Sequence, residues 1–303
     1  MNRRAFLKNT LVTGSALTFG GNLVANTLLS RDKKLIILHT NDIHSRIEPF
    51  PAEAGRLANQ GGLTKLAGLV RDLRQEHGDL MLLDAGDVFQ GTPYFNFYGG
   101  ELELKLMSQM GYDASTIGNH EFDNGLQGIQ DQLPNASFPH LIANYDFSNT
   151  ILKDSFSPYK IFNKKGLKIG VFGLGIELKG LVGPRSYEST VYLDPVPIAE
   201  EMVEELKNKK CDLIICLSHL GYSYRSEKID DLKLAAKISG IDLIVGGHTH
   251  TFLEEPAQVK NGEGHVTLVN QVGTGAARLG FVEFGFSKDK KVAQVQAKSL
   301  MIN

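Results

Sequence analysis

The sequence of 303 residues has no tryptophan, only two cysteines and only ten prolines. Without Trp, any aromatic platform must be built from Phe and Tyr. The cysteines, Cys211 and Cys216, are too few for a disulfide framework, and neither has the partner cluster that a zinc ribbon or a thiol nucleophile needs. They lie five apart in a strand-like run. That odd spacing points them to opposite faces, so they are expected as unbonded, buried small hydrophobes. Ten prolines beside 32 glycines indicate tight turns rather than a stiff linker. An excess of one charge is also missing: 32 basic against 34 acidic residues give −2. Residues 1–30 hold Arg3, Arg4 and Lys8 and no acid, so the rest of the chain carries −5. With no basic stripe, the chain is poorly suited to nucleic acid or to an anionic membrane surface.

No apolar run is long enough to anchor the chain. Asn9 to Ser30 is uncharged, but 12 of its 22 residues are Gly, Ser, Thr or Asn, whereas a spanning helix needs about 20 mostly apolar ones. No stable membrane anchor is therefore expected. Placed behind Arg3-Arg4, the stretch fits a twin-arginine export address. The expectation is a signal segment over residues 1–30 and a periplasmic or otherwise exported protein. Val24-Ala25-Asn26 is only a weak cleavage signal.

What remains is ordinary globular composition, 42% hydrophobic and 22% charged, with length for a sizeable core. Apolar runs alternate with amphipathic ones, the pattern of α/β proteins. Strands are expected at Lys34–Leu38, Leu80–Leu83, Ala114–Ile117, Pro139–Ala143, Tyr159–Phe162, Lys168–Phe172, Asp212–Leu217, Ile241–Val245, His265–Asn270, Gly280–Phe286 and Val292–Ala297. Helices are expected at Leu63–Glu76, Glu101–Met110, Ile198–Lys209 and Ile229–Ser239. The last 40 residues read as consecutive strands forming an antiparallel edge. There is no repeat and no linker, so residues 31–303 read as one domain.

Five polar clusters punctuate this pattern: Asp42-Ile43-His44, Gly86-Asp87, Gly118-Asn119-His120-Glu121, Ser218-His219 and Gly246-Gly247-His248-Thr249-His250. Each directly follows an expected strand. Loops beyond the carboxyl ends of the strands of an α/β sheet converge on one rim, so clusters far apart in sequence would meet there. A single His or Asp after a strand is more often a loop cap than a ligand; the joint pattern reverses that weighting. Asp, His and Asn together make a mixed oxygen/nitrogen donor set suited to Zn, Mn, Fe or Co. Seven candidate ligands, Asp42, His44, Asp87, Asn119, His219, His248 and His250, are too many for one tetrahedral ion. They suit two divalent ions roughly 3.5–4 Å apart, which can bind phosphate oxygens and lower the pKa of a bridging water for in-line attack at phosphorus. His39, His77, His140 and His265 lie outside the clusters and read as structural or exposed. Gly173-x-Gly175 with Gly180 spaces its third glycine too late for a dinucleotide fingerprint, and reads as a turn after a strand.

At these residues the chain resembles the calcineurin-like metallophosphoesterases and, more closely, the catalytic domain of the 5′-nucleotidase family, which includes UDP-sugar hydrolases. The matching segments are Leu38–Ser45, Asp84–Asp87, Gly118–Asp123, Leu217–Gly221 and Gly246–His250; they occur in the family's order. The resemblance implies a four-layer αββα sandwich of two mixed β-sheets flanked by helices. It also implies that Asp42, His44, Asp87 and His250 hold one metal, while Asp87, Asn119, His219 and His248 hold the other. His120 would face the substrate phosphate, paired with Asp123, and stabilise the transferring phosphoryl group; Glu121 would support the loop.

Nucleotidases of this family usually carry a second, C-terminal domain that reads the base, and this sequence stops at Asn303. The expectation is therefore a 5′-nucleotidase-like hydrolase of nucleotides or related phosphomonoesters, with a separately encoded C-terminal nucleotidase domain as a candidate partner. A cyclic-nucleotide phosphodiesterase, a nucleotide-sugar pyrophosphatase, a sulfur-ester hydrolase and a metal-loaded binding subunit stay open. Lys179–Ser189, with Arg185, is read as an exposed loop or a lid. Tyr94, Phe95, Phe97 and Tyr98 are read as core, with Tyr94 and Phe95 as alternative pocket lining.

Overall fold

The structure is a computed structural model and describes residues 33–303. The twin-arginine segment lies outside the described residues.

Two sheets form the centre. In the first, β1 (Lys33–Thr40), β2 (Met81–Asp84) and β3 (Ala114–Ser115) run parallel, and β12 (Arg278–Phe286) and β13 (Val292–Met301) extend it antiparallel, in the order β13-β12-β1-β2-β3. The second has the order β10-β11-β9-β8-β6-β5. Its inner strands β6 (Leu167–Leu174), β8 (Leu213–Ser218), β9 (Leu243–Gly246) and β11 (Val266–Asn270) are parallel. Its edges β5 (Tyr159–Lys164) and β10 (Ala257–Lys260) are antiparallel. A short ribbon pairs β4 (Tyr145–Asp146) with β7 (Val191–Tyr192).

Strand alternation produces the layers. Successive side chains point to opposite faces, and here both faces are apolar. Leu35 and Ile37 of β1, Met81 and Leu83 of β2, Ile169 and Val171 of β6, and Leu213, Ile215 and Leu217 of β8 meet between the sheets. Ile36, Leu38, Leu80 and Leu82 face outward, onto Leu63, Leu66 and Val70 of α1 (Leu63–His77) and beyond them Leu104 and Met107. Ile214, Cys216 and Ile244 face the other way, onto Ala199, Val203 and Leu206 of a later helix, Pro195–Asn208. The result is helix, sheet, sheet, helix. Each fully buried Leu or Ile contributes roughly 1.5–3 kcal/mol relative to exposure. Two helices start at side-chain caps. The Asp194 carboxylate accepts from Val196 N at 3.0 Å ahead of Pro195, and the Asp230 carboxylate accepts from Lys233 N at 2.8 Å ahead of Asp231–Lys237.

Several expectations change. The last 40 residues do not form one antiparallel edge: β11 is a parallel strand of the second sheet, and only β12 and β13 complete the first. Pro139–Ala143 forms isolated bridges instead of a strand. It lies so close to β6 that a Cβ on Gly173 would sit 1.9 Å from Leu141 O, so that glycine lies within a strand and admits a crossing segment. Both cysteines are free and both pack on the helix side, because Cys211 precedes β8 and alternation does not reach it. Among the aromatics after Asp87, Phe95 enters the core while Phe97 is 82% exposed. Lys179–Ser189 contains a short helix, Pro184–Tyr187, and its Val182 packs into a small cluster with Phe122 and Leu126.

Candidate metal centre

β1, β2 and β3 of one sheet and β8 and β9 of the other end at a common rim. Asp42 and His44 follow β1, Asp87 follows β2, Asn119 and His120 follow β3, His219 follows β8, and His248 and His250 follow β9. Five of these residues have left-handed backbones: Asp42 (φ 50°), His44 (51°), Asp87 (55°), His248 (73°) and His250 (50°). That conformation costs a non-glycine residue roughly 1–2 kcal/mol and collects at functional sites where neighbours enforce it. The neighbours are on hand. Asp42 N donates to Gly86 O at 2.9 Å, His44 N to Asp87 O at 3.0 Å, and His248 N to both Asp42 carboxylate oxygens at 3.0 Å.

The side chains form two adjoining groups. Asp42, His44 and His250 make the first, with His44 Nε2 2.9 Å from His250 Nε2 and His250 Nε2 3.3 Å from Asp42 Oδ1. Asp87, His219 and His248 make the second, with His219 Nε2 3.0 Å from Asp87 Oδ2. Asn119 joins it, its Oδ1 2.8 Å from His248 Nδ1. Asp87 lies toward both groups, 4.0 Å from His44 Nε2. His120 offers a ring nitrogen near His44 and Asp87, while its Nδ1 bonds Asp123 Oδ2 at 2.8 Å. The structure thus brings together all seven residues read as ligands and the His120–Asp123 pair.

The donor chemistry fits divalent cations. His219 Nε2 is buried without a well-aligned hydrogen-bond partner, although its Nδ1 donates to Ala85 O at 2.6 Å, so Nε2 is a lone-pair donor aimed into the centre. The facing His44 and His250 nitrogens likewise suit a shared cation better than each other. Burial works against a charge on His219, but the adjacent Asp87 carboxylate overrides it and pushes the imidazole up to about 10, so a cation held by Nε2 would take the place of a proton there. Burial, and then the charge of His219, takes His248 down to about 4. The hydrogen bond that His120 donates to the Asp123 carboxylate raises His120.

A supporting layer was largely invisible in the sequence. Glu121 accepts from Asp87 N (3.0 Å), Val88 N (2.7 Å), Phe89 N (3.2 Å) and Gly118 N (2.6 Å), clamping two loops together. Asn41 bonds Asp42 Oδ2 at 2.6 Å and Gly273 O at 2.7 Å. Gln271 accepts from Thr249 Oγ1 at 2.9 Å and donates to Gly247 O at 2.5 Å. Asp84 accepts from Thr40, Gly86 and Ser115, and burial pushes it up to about 7. The one sequence signal was that polar residues such as Asp84 and Asn41 directly continue fully buried strands.

With this geometry, residues 35–252 match the model of the calcineurin-like phosphoesterases. The chain belongs to that family. Its members are metal-dependent phosphoester hydrolases, and 5′-nucleotidases are among its relatives. It is 35% identical over 299 residues to the snake venom 5′-nucleotidase of Crotalus adamanteus, covering 89% of this chain and 48% of that protein. It is 32% identical over 304 residues to the 5′-nucleotidase of Bos taurus, covering 90% and 50%. A 5′-nucleotidase precursor from Thermus thermophilus superposes with a TM-score of 0.80 at 34% identity, over 89% of this chain and 55% of that one. The Haemophilus influenzae NAD nucleotidase superposes with a TM-score of 0.78 at 29% identity, over 90% and 51%. The chain spans about half the length of the curated relatives it matches. No helix among the described residues is long and apolar enough to cross a membrane.

Proposed function

We propose that this chain is an exported, two-metal phosphohydrolase of the 5′-nucleotidase kind, releasing phosphate from nucleotides or related phosphomonoesters. One observation carries the reading: two donor groups meet across Asp87, with the His120–Asp123 pair beside them. In this reading Asp42, His44, Asp87 and His250 hold one ion, and Asp87, Asn119, His219 and His248 the other. Zn, Mn, Co and Fe all suit this donor set. Bound there, divalent ions supply charge neutralisation at the phosphate oxygens and acidify water for in-line attack at phosphorus.

The chain's own groups do the rest. His120 donates through Nε2 to the transferring phosphoryl group and to the leaving oxygen. Asp123 fixes the ring through Nδ1 and stabilises its positive charge, which places the proton where negative charge builds up. Glu121 keeps the loops of Asp87 and Asn119 in register. The twin-arginine pattern supports export, and the charge balance supports a small phosphoester over nucleic acid as substrate. Because the match covers about half of each relative, we assign base recognition to the part of the relatives' length that these residues do not span. The likeness to NAD nucleotidase favours dinucleotides as a second substrate group.

The test is product release by the purified chain, loaded with Mn²⁺, Zn²⁺ or Co²⁺, from AMP, NAD and a generic aryl phosphate in parallel. Preference for AMP supports nucleotide recognition by these residues alone, and equal or aryl-only turnover supports base recognition from outside them. No turnover of any of the three overturns the enzyme reading in favour of a metal-loaded binding subunit.

A further inference from the structure

The loop leaving β1 is under unusual backbone tension, since Asp42, His44 and Ser45 all have left-handed φ values, Ser45 at 52°. Such a loop persists only if its surroundings over-determine it. Most of its restraint comes from segment 86–92. Val88 O accepts from Ser45 N at 2.8 Å, Thr92 Oγ1 donates to Ser45 O at 2.7 Å, and Gly91 packs so tightly that a Cβ there would lie 2.7 Å from His44 O. Gly275 N and Thr274 Oγ1 also hold Asp42 O, at 2.8 and 3.0 Å, and one further restraint acts on Ser45 from another element. Ser45 Oγ donates to Oε1 of Glu103, in the first turn of the helix Glu101–Met110.

Glu103 is anomalous where it stands. It is fully buried, its Oε2 has no hydrogen-bond partner, and its helix packs into an apolar cluster through Leu104 and Met107. Leaving a buried carboxyl oxygen unpaired costs on the order of 1–3 kcal/mol, which a Leu or Met here would avoid. Helix-dipole complementarity does not account for it, because the exposed Glu101 already supplies a charge in that turn. What Glu103 contributes and an apolar residue cannot is the bond to Ser45.

We propose that Glu103 is a positioning residue for the metal centre, acting through Ser45 to hold the backbone twist that aims His44 at Asp42 and His250. This rests on the reading of those residues as metal ligands. The test compares Glu103→Ala, Glu103→Gln, Ser45→Ala and the Ser45→Ala/Glu103→Ala double variant in the full chain. Mn²⁺ binding is followed by the resonance of the free ion, and steady-state kinetics are measured on the best phosphoester.

Glu103→Ala is expected to weaken Mn²⁺ binding at least ten-fold and lower kcat at least ten-fold, with KM within two-fold of the parent. Ser45→Ala does the same, and the double variant is no worse than either single one. Glu103→Gln keeps an acceptor for Ser45 and restores both quantities to within three-fold. Parent-like Mn²⁺ affinity in folded Glu103→Ala overturns the proposal. So does a silent Ser45→Ala beside a crippled Glu103→Ala, or a Gln variant no better than the Ala one. If Glu103→Ala does not fold, Glu103→Gln and Ser45→Ala decide alone. A parent that binds Mn²⁺ but turns over no phosphoester sinks the functional reading while the affinity shifts still judge this one.

Discussion

Gly118 offers the sharpest probe of the centre. A Cβ added there would lie 2.3 Å from Asp87 Oδ1 and 2.6 Å from both Cε1 and Nε2 of His219. Ordinary contact begins near 3.4 Å, so Gly118→Ala forces these two groups back by about 1 Å. Gly118 has no positive φ, so alanine meets no backbone penalty and the whole effect is steric. Neither neighbour can yield freely. Asp87 Oδ1 accepts from His120 N at 2.8 Å, and His219 is tied to Ala85 O at 2.6 Å. Overpacking of this kind costs about 1–3 kcal/mol, or about 2–4 °C of melting temperature per kcal/mol in a domain of this size. A 1 Å misplacement of reacting groups costs about 100-fold in rate. Metal content, initial rates of phosphate release and thermal melting should therefore all fall in Gly118→Ala. Gly68→Ala is the matched control, because nothing lies within 4 Å of its Cβ; placed inside α1, it should raise stability by about 0.5–1 kcal/mol. A Gly118→Ala protein with parental metal content, kcat and melting point would refute the packing that places Asp87 and His219 against one another.

Three further outcomes are expected. Asp87→Asn should lose bound metal and activity together, and elemental analysis of a fully metallated, active variant would sink the shared role of Asp87. His120→Ala should keep its metal while kcat falls by about 100-fold or more; an unchanged kcat removes His120 from the chemistry. Burial lowers His39 from 6.5 to about 3, so below pH 6.5 the unfolded chain takes up a proton that the native state refuses, and stability falls with pH. Between pH 7 and pH 5 that linkage removes about 2 kcal/mol. Urea unfolding of His39→Gln should lack that share of the pH dependence, and identical dependence in the two proteins would contradict it.

Much of this molecule was legible in its sequence because burial on both faces leaves a plain record. A strand such as Leu213–Ser218 reads as an unbroken apolar run, and the polar residues ending such runs in parallel strands must gather at one edge. Asp42, Asp87, Asn119, His219 and His248 were found on that logic, and family resemblance divided them into two groups. Elements whose identity depends on distant neighbours were not legible. Pro139–Ala143 has strand-like composition but lies on Gly173 as a crossing segment. β11 looks like its antiparallel neighbours in sequence yet joins β9, because its partners are chosen by sheet packing.

The sequence by itself determined the α/β class and the rim where the candidate donors gather, since alternation and chain order are local properties of the polymer, while the four layers followed from the family resemblance. Only the tertiary structure decided how those donors are held. Glu121 sits beside the residues it supports in sequence but bonds amides more than 30 positions away. Glu103 reaches Ser45 across 58 positions, and Gln271 steadies the loop of His248 and His250 from the start of the β11–β12 connection. A buried carboxyl or amide finds its partners through the packing of separate elements, and no spacing rule along the chain records where that packing will bring them.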